Sequence, residues 1–353
     1  MEHLLAAVVP DRPPKTDSPY SIWQRAEGIP ILRGSSVDDL HKVDVAPWPR
    51  LGQKGAFVNL ADQEEDDGWV IEVEPGGSTR VLHHAFEMSI YVVDGRGATS
   101  LWQDETRKQT VEWQRGSIFS PPLNCSYQHF NLDGQRPARL FAVTNAPMVM
   151  NLYRCEDFAF NNPYVFKDRY AGQDSYFTGP GEMVAQTRWQ TNFVPDVRAV
   201  KLAPARRGLG ATTMEFSLCN NLSIAHSSEF PAGTYKLAHR HNVGAHVIIL
   251  EGVGYSLLWF EGETERRRVN WTDGTVLSPR EGEYHQHFNT GPSPARYMAF
   301  RLGDLDRRKG WGETEDGYSG IPYYREDPAI YDLYLSECAK SGAQVVLPRP
   351  DYR

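Results

Sequence analysis

The chain has 353 residues, 40% hydrophobic and 23% charged, enough apolar material for two domains of ordinary size with buried cores. Lysine and arginine number 37 against 45 acidic residues, a net charge of -8, which excludes a general nucleic-acid binder with a basic face. The opening stretch MEHLLAAVVPDRPP lacks a basic leader and meets proline and charge at once, so neither a signal peptide nor a membrane span is expected. Cys125, Cys155, Cys219 and Cys338 are far apart and form no CxxC, the pattern of free thiols in a reducing cytoplasm.

In chain order, residues 1–49 are rich in Pro, Asp, Tyr and Trp and are expected to form an arm. Residues 50–149 break into short segments bounded by turn residues, as expected of a first barrel. Residues 150–203 read as a second connecting arm. Residues 204–303 repeat the pattern of short strands. HVIILEG, YSLLWF, RRVNW and ARYMAFRLG are rich in β-branched and aromatic residues, and EGVG, FEGE, TDG and NTGPSP supply the turns. The basic runs ERRR (265–268) and DRRK (306–309) are expected on solvated turns. Residues 304–353 carry the best helix signal, DPAIYDLYLSECAKSG at 327–342. Asp327 stands at the N-cap, Pro328 at the first helical position and Gly342 at the C-terminal cap, with Ile330, Leu333, Tyr334 and Cys338 as the buried stripe.

The two barrel segments are copies of one another. SIYVVDGRGATSLW (89–102) matches HVIILEGVGYSLLW (246–259), and VEWQRGSIFSPPLNCSYQHFN (111–131) matches VNWTDGTVLSPREGEYHQHFN (269–289). Upstream, PGGSTRVLHH (75–84) lies opposite AGTYKLAHRH (232–241). The expected fold class is therefore all-β, a sandwich or closed barrel built twice.

Histidines crowd into the second copy. His239 and His241 are two apart and share a strand face, His246 opens the next strand, and His285 and His287 form a second same-face pair. Neutral imidazoles converging in a barrel suit Fe(II), Mn(II), Ni(II), Cu(II) or Zn(II). The alternative is a set of ordinary core and surface histidines. Tyr235, Tyr255, Trp259, Tyr284 and Phe288 are candidates to line such a site, and Arg240, Arg280 and Arg296 to hold a substrate carboxylate at its rim.

These motifs resemble those of the cupins. Gly233, His239, His241, then His246 in the acidic position, Gly252 and Gly254 stand where the first cupin motif has its glycines, histidines and acid. Gly274, Pro279, Gly282, His285 and Asn289 follow the second, with the proline one residue early. The resemblance implies a tandem cupin: two double-stranded β-helix (jelly-roll) barrels with connecting arms and a C-terminal helix. It assigns His239, His241 and His285 to a metal. His246 becomes a fourth ligand, a neighbour of the ligands or an acid–base group; His287, beyond the motif but on the face of His285, is a neighbour of the ligands, a substrate contact, an acid–base group or a structural residue. Opposite His239, His246 and His285 the first copy carries Leu82, Ser89 and Tyr127, and retains only His84 and His129. That barrel is expected to be metal-free and structural, with a site from His84, His129 and Glu87 as the alternative.

By the same resemblance the leading expectation is an Fe(II)-dependent dioxygenase. It would cleave a carbon–carbon bond of a small chelating substrate (phenolic, hydroxy-acid or diketone) with O2. The alternatives are a divalent-metal isomerase, decarboxylase or lyase with His246 or His287 as proton shuttle, and a non-enzymatic ligand-binding bicupin. A cytoplasmic homodimer or higher homo-oligomer with no nucleic-acid or membrane partner completes the expectation.

Overall fold

The computed structural model describes residues 17–241, 243–303 and 320–352. The opening MEHLLAAVVPDRPP and the DRRK run lie outside them.

Each copy folds into a large, mostly antiparallel sheet facing a small antiparallel one. In the first, the large sheet runs through Ile31–Gly34, Gln53–Leu60, Asp67–Val73, Ala138–Thr144, Met88–Asp94, Ile118–Phe119 and Phe193–Val194. It faces a three-stranded sheet of Ser126–Asn131, Arg96–Trp102 and Gln109–Gln114. In the second, the large sheet includes Thr212–Ser217, Ile224–Phe230, Ala295–Arg301, His246–Glu251 and Val276–Leu277. Its small sheet is Arg267–Trp271, Gly254–Trp259, Tyr284–Asn289, Ala238–His239 and Gly320–Ile321. The tandem jelly-roll expectation holds.

The arms contribute strands to both barrels. Ile31–Gly34 pairs in parallel with Gln53–Leu60, and the next strand, Ser36–Val37, pairs with Val276–Leu277 of the second barrel. Phe193–Val194 returns to the first barrel against Ile118–Phe119.

The two large sheets also pack back to back. Their outer faces share one core containing Val58, Tyr91, Phe141, Val143, Ile248, Leu250, Met298 and Phe300. Strands there are buried on both faces, so Ile90 and Val92 point into their own barrel while Tyr91 and Val93 point to the other. Glu87 belongs to this junction. Its carboxylate accepts the Leu222 and Ser223 amides (2.9 and 3.2 Å) and pairs with Arg169 at 3.1 Å.

The C-terminal helix Pro328–Ser341 begins and ends on the expected caps: Asp327 Oδ1 accepts the Ala329 amide at 3.0 Å and Gly342 takes φ 73°. Ile330, Tyr331, Tyr334 and Cys338 are buried against Tyr235, Tyr255 and Phe288 on the outside of the second barrel's small sheet. The ERRR run is not a solvated turn. It leads into the edge strand Arg267–Trp271, and its arginines pair with Asp327 (3.1 Å), Glu283 (2.9 Å) and Glu337 (2.7 Å), two of which sit at or on this helix. No described helix is long and apolar enough to cross a membrane.

Candidate metal centre

Three histidines meet inside the second barrel. His239 and His285 sit opposite each other on paired strands, and His241 follows His239 by one side-chain period, so all three rings project inward. One ring nitrogen of each lies within 4.8 Å of the other two, the one such cluster of potential ligands among the described residues. All three side chains are buried, at 3%, 7% and 2% exposure. Nδ1 of His241 bonds the Val243 carbonyl and Nδ1 of His285 the Glu283 carbonyl at 3.3 Å, which orients these rings and leaves Nε2 free. Nδ1 of His239 is buried without a partner.

Burial, reinforced by neighbouring imidazolium positions and by Arg207 and Arg301, depresses these histidines: His241 to about 3, His239 and His285 well below the usual imidazole value. They are therefore neutral at physiological pH, the state a metal ligand requires. An all-imidazole donor set with an orphaned buried nitrogen fits a divalent cation.

His287 lines the same cavity. Its Nδ1 lies 2.7 Å from Ser256 Oγ, which accepts the Trp271 indole N–H at 3.0 Å. The buried serine proton has Nδ1 as its acceptor, which places the His287 proton on Nε2. The first barrel preserves the same chain: Trp113 donates to Thr99 (2.9 Å), which bonds His129 Nδ1 at 2.7 Å. This relay is thus part of the duplicated scaffold, and the second barrel alone joins it to a ligand cluster.

The inner cavity holds about 10 Å³, space for one ion or water. Arg207, His226, Tyr297 and Arg301 form its wall and also border an outer chamber of about 500 Å³. Lys236, Arg206 and Glu215 line that chamber as well. Lys236 Nζ donates to Ser228 Oγ (2.6 Å) and Tyr297 Oη (3.0 Å). Burial alone raises the Tyr297 phenol, but Lys236 and Arg207 outweigh it and the net shift is downward. None of these chamber residues stood out in the sequence. His226, Ser228 and Tyr297 sit on strands distant from the motifs. Strand register sets His226 opposite Trp69 and Tyr297 opposite Leu140.

Several expected site residues lie elsewhere. His246 is on the opposite face from Val247: it pairs with Phe300, packs on Phe141 of the first barrel and lies 3.7 Å from Asp66. It is no ligand of this cluster, because the back-to-back sheets bury both faces of its strand. Tyr235, Tyr255 and Trp259 face the C-terminal helix instead of the cavity. Phe288 stacks on Tyr255 and Tyr284 on Trp259, on that same outer side. Arg240 pairs with Glu261 (2.9 Å), Arg280 lies 3.6 Å from Asp62, and Arg296 pairs with Glu229 (2.9 Å) and bonds carbonyls of the 197–200 segment. None of the three reaches the cavity wall.

In the first barrel Leu82 and Tyr127 occupy the places of His239 and His285. His84 Nε2 bonds the Tyr127 hydroxyl at 2.8 Å and its ring stacks on Phe86. Glu87, held at the junction, meets neither His84 nor His129 in a ligand cluster. The alternative site there is not assembled.

No protein-family model matches the chain, and no curated protein sequence matches it. Solved structures do. The oxalate decarboxylase–formate complex of Lactobacillus farciminis aligns with a TM-score of 0.52 at 12% identity, covering 76% of this chain and 86% of its own. A variant of B. subtilis oxalate decarboxylase gives 0.51 at 13%, covering 75% and 76%. Vicilin from Corylus avellana (hazelnut) gives 0.53 at 10%, covering 86% and 94%. With two facing-sheet barrels, a duplicated motif pair and these neighbours, the chain has the fold of a tandem cupin, a bicupin.

Proposed function

We propose that the second barrel holds a divalent cation on His239, His241 and His285 and acts as a carbon–carbon lyase of the decarboxylase type on a small organic acid. The observation that carries this reading is the buried, neutral imidazole trio opening onto a chamber walled by cations. Mn(II) and Fe(II) suit such a set once a substrate oxygen completes the shell. The bound cation would polarise a carboxylate or carbonyl oxygen.

The chain's own residues supply the rest. Arg207 and Arg301 draw the anionic substrate toward the trio. His287, its proton held on Nε2 by Ser256, donates a hydrogen bond into the cavity. When the carbon–carbon bond breaks and carbon dioxide leaves, the electron pair remaining on carbon needs a proton. Tyr297, which lines both the inner cavity and the chamber, stands in the wall as its donor. The oxalate decarboxylase neighbours favour this class. The absence of a carboxylate among the clustered ligands favours a second reading, the Fe(II) dioxygenase. Four free cysteines support a reducing, cytoplasmic setting.

The test is turnover of a panel of hydroxy, oxo and dicarboxylic acids by Mn(II)- or Fe(II)-loaded protein, followed by carbon dioxide release under argon and under air. Release under argon supports the lyase. Turnover that strictly consumes oxygen moves the assignment to the dioxygenase, and bound metal without turnover makes the chain a ligand-binding bicupin.

A further inference from the structure

The outer chamber has more space and more positive charge than a metal-chelating group alone requires. Lys236 is 2% exposed, yet its ammonium contacts only the hydroxyls of Ser228 and Tyr297 and the rings of Phe230 and Tyr297. Among the described residues, neither Lys236 nor Arg207 has a carboxylate partner. The one carboxylate on the chamber wall, Glu215, lies 3.4 Å from Arg188 and 3.5 Å from Arg301. A buried cation without a counter-ion is costly to the folded state.

The first barrel serves as an internal control, because the same fold is built there without these charges. Lys236 and Thr79 are equivalent: their amides donate to the carbonyls of His287 (2.9 Å) and His129 (3.0 Å). Across the sheet, Glu215, His226 and Ala299 lie in register, as do Phe57, Trp69 and Ala142. Ser228 and Tyr297 likewise answer to Ile71 and Leu140. Phe57, Trp69, Ile71 and Leu140 of the first barrel give way to Glu215, His226, Ser228 and Tyr297 in the second, and the uncharged Thr79 gives way to Lys236. The jelly roll does not need a lysine there, so its charge points to a ligand.

We infer that Lys236, with Ser228 and Arg207, forms a second anion subsite. The substrate is then an extended organic acid that carries one chelating end at the histidines and a second oxyanion several bonds away in the chamber. This rests on the reading that the second barrel takes an organic acid. A volume of about 500 Å³ accommodates such a molecule, whereas the inner cavity of about 10 Å³ receives only its chelating tip.

The test compares binding of 2-oxobutanoate, 2-oxoglutarate and 2-oxo-4-phosphonobutanoate to the full chain loaded with Mn(II), by calorimetry. These share a chelating end and differ in the group at the other. A charge-assisted contact predicts that one or both dianions bind about ten- to a hundredfold more tightly than the monoanion. The preferred dianion tells carboxylate from phosphate-like chemistry. Lys236→Met should erase the preference while leaving monoanion and Mn(II) affinity unchanged. Lys236→Thr, the residue of the first barrel, and Arg207→Gln at the half-buried wall guard against a variant that fails to fold.

Equal affinity for all three acids in the unaltered protein, or a preference that survives both lysine replacements, overturns the subsite. Mn(II) uptake, read separately by electron paramagnetic resonance, decides the metal reading. If no Mn(II) binds, succinate against butanoate on the metal-free chain still decides the subsite through its dependence on Lys236.

Discussion

Replacing His285 with alanine separates a metal centre from a cluster of core histidines. His285 is the middle ring of the trio, its centroid 4.1 Å from that of His239 and 4.8 Å from that of His241. Its removal takes away one of three protein ligands. Four-ligand zinc sites bind with about 10–16 kcal/mol, or roughly 2.5–4 kcal/mol per ligand. At about 1.4 kcal/mol per decade, the loss of one imidazole weakens binding by a factor of roughly 10² to 10³. The assay is titration of Mn(II) into chelator-stripped protein, with the bound fraction read by electron paramagnetic resonance. His246→Leu is the matched control. His246 lies at the junction of the barrels, outside the ligand cluster, so an apolar side chain should leave Mn(II) affinity unchanged. Equal Mn(II) affinity in His285→Ala and the unaltered protein refutes the centre. A loss in His246→Leu as large as that in His285→Ala refutes the placement of His246 at the barrel junction.

Other expectations follow from the same packing. Burial depresses His84, His129, His226, His239, His241, His246, His285 and His287, so the folded chain keeps them neutral where the unfolded chain protonates them. Their contribution to stability is complete above the unfolded value of about 6.5 and is lost as pH falls toward the folded values, near 3 for His84, His129 and His241. The melting temperature of the metal-free protein should therefore fall steeply below pH 6.5, and a flat profile down to pH 5 would contradict this. Ser256→Ala breaks the Trp271–Ser256–His287 chain and should lower turnover at least tenfold with metal content unchanged, whereas Thr99→Ala in the first barrel should leave turnover alone. Asn289 Nδ2 donates to the Pro231 and Ser293 carbonyls (3.2 and 2.9 Å) and its Oδ1 accepts the Gly291 amide at 2.9 Å. Asn289→Ala should cost about 2–4 kcal/mol in urea unfolding, and a cost below about 1 kcal/mol would show that this turn does not depend on the clamp.

The amino-acid sequence by itself determined the duplication, the all-β class, the caps of the terminal helix and the crowding of histidines in the second copy, three of which cluster there. Each depends on local chemistry: short-range spacing on a pleated strand, turn residues, or self-similarity between copies. Tertiary structure decided which strand face is the inside. Alternation places His246 and Val247 on opposite faces, but back-to-back sheets bury both, and only packing shows that Val247 faces the cavity. The terminal helix has the same effect on Tyr235, Tyr255 and Trp259: it covers the outer face of the small sheet, so apolar residues there look like cavity lining. Arg207, His226, Lys236 and Tyr297 come from segments separated along the chain and meet only when the strands pair. Their grouping is set by sheet register, a long-range property that no local window of residues records.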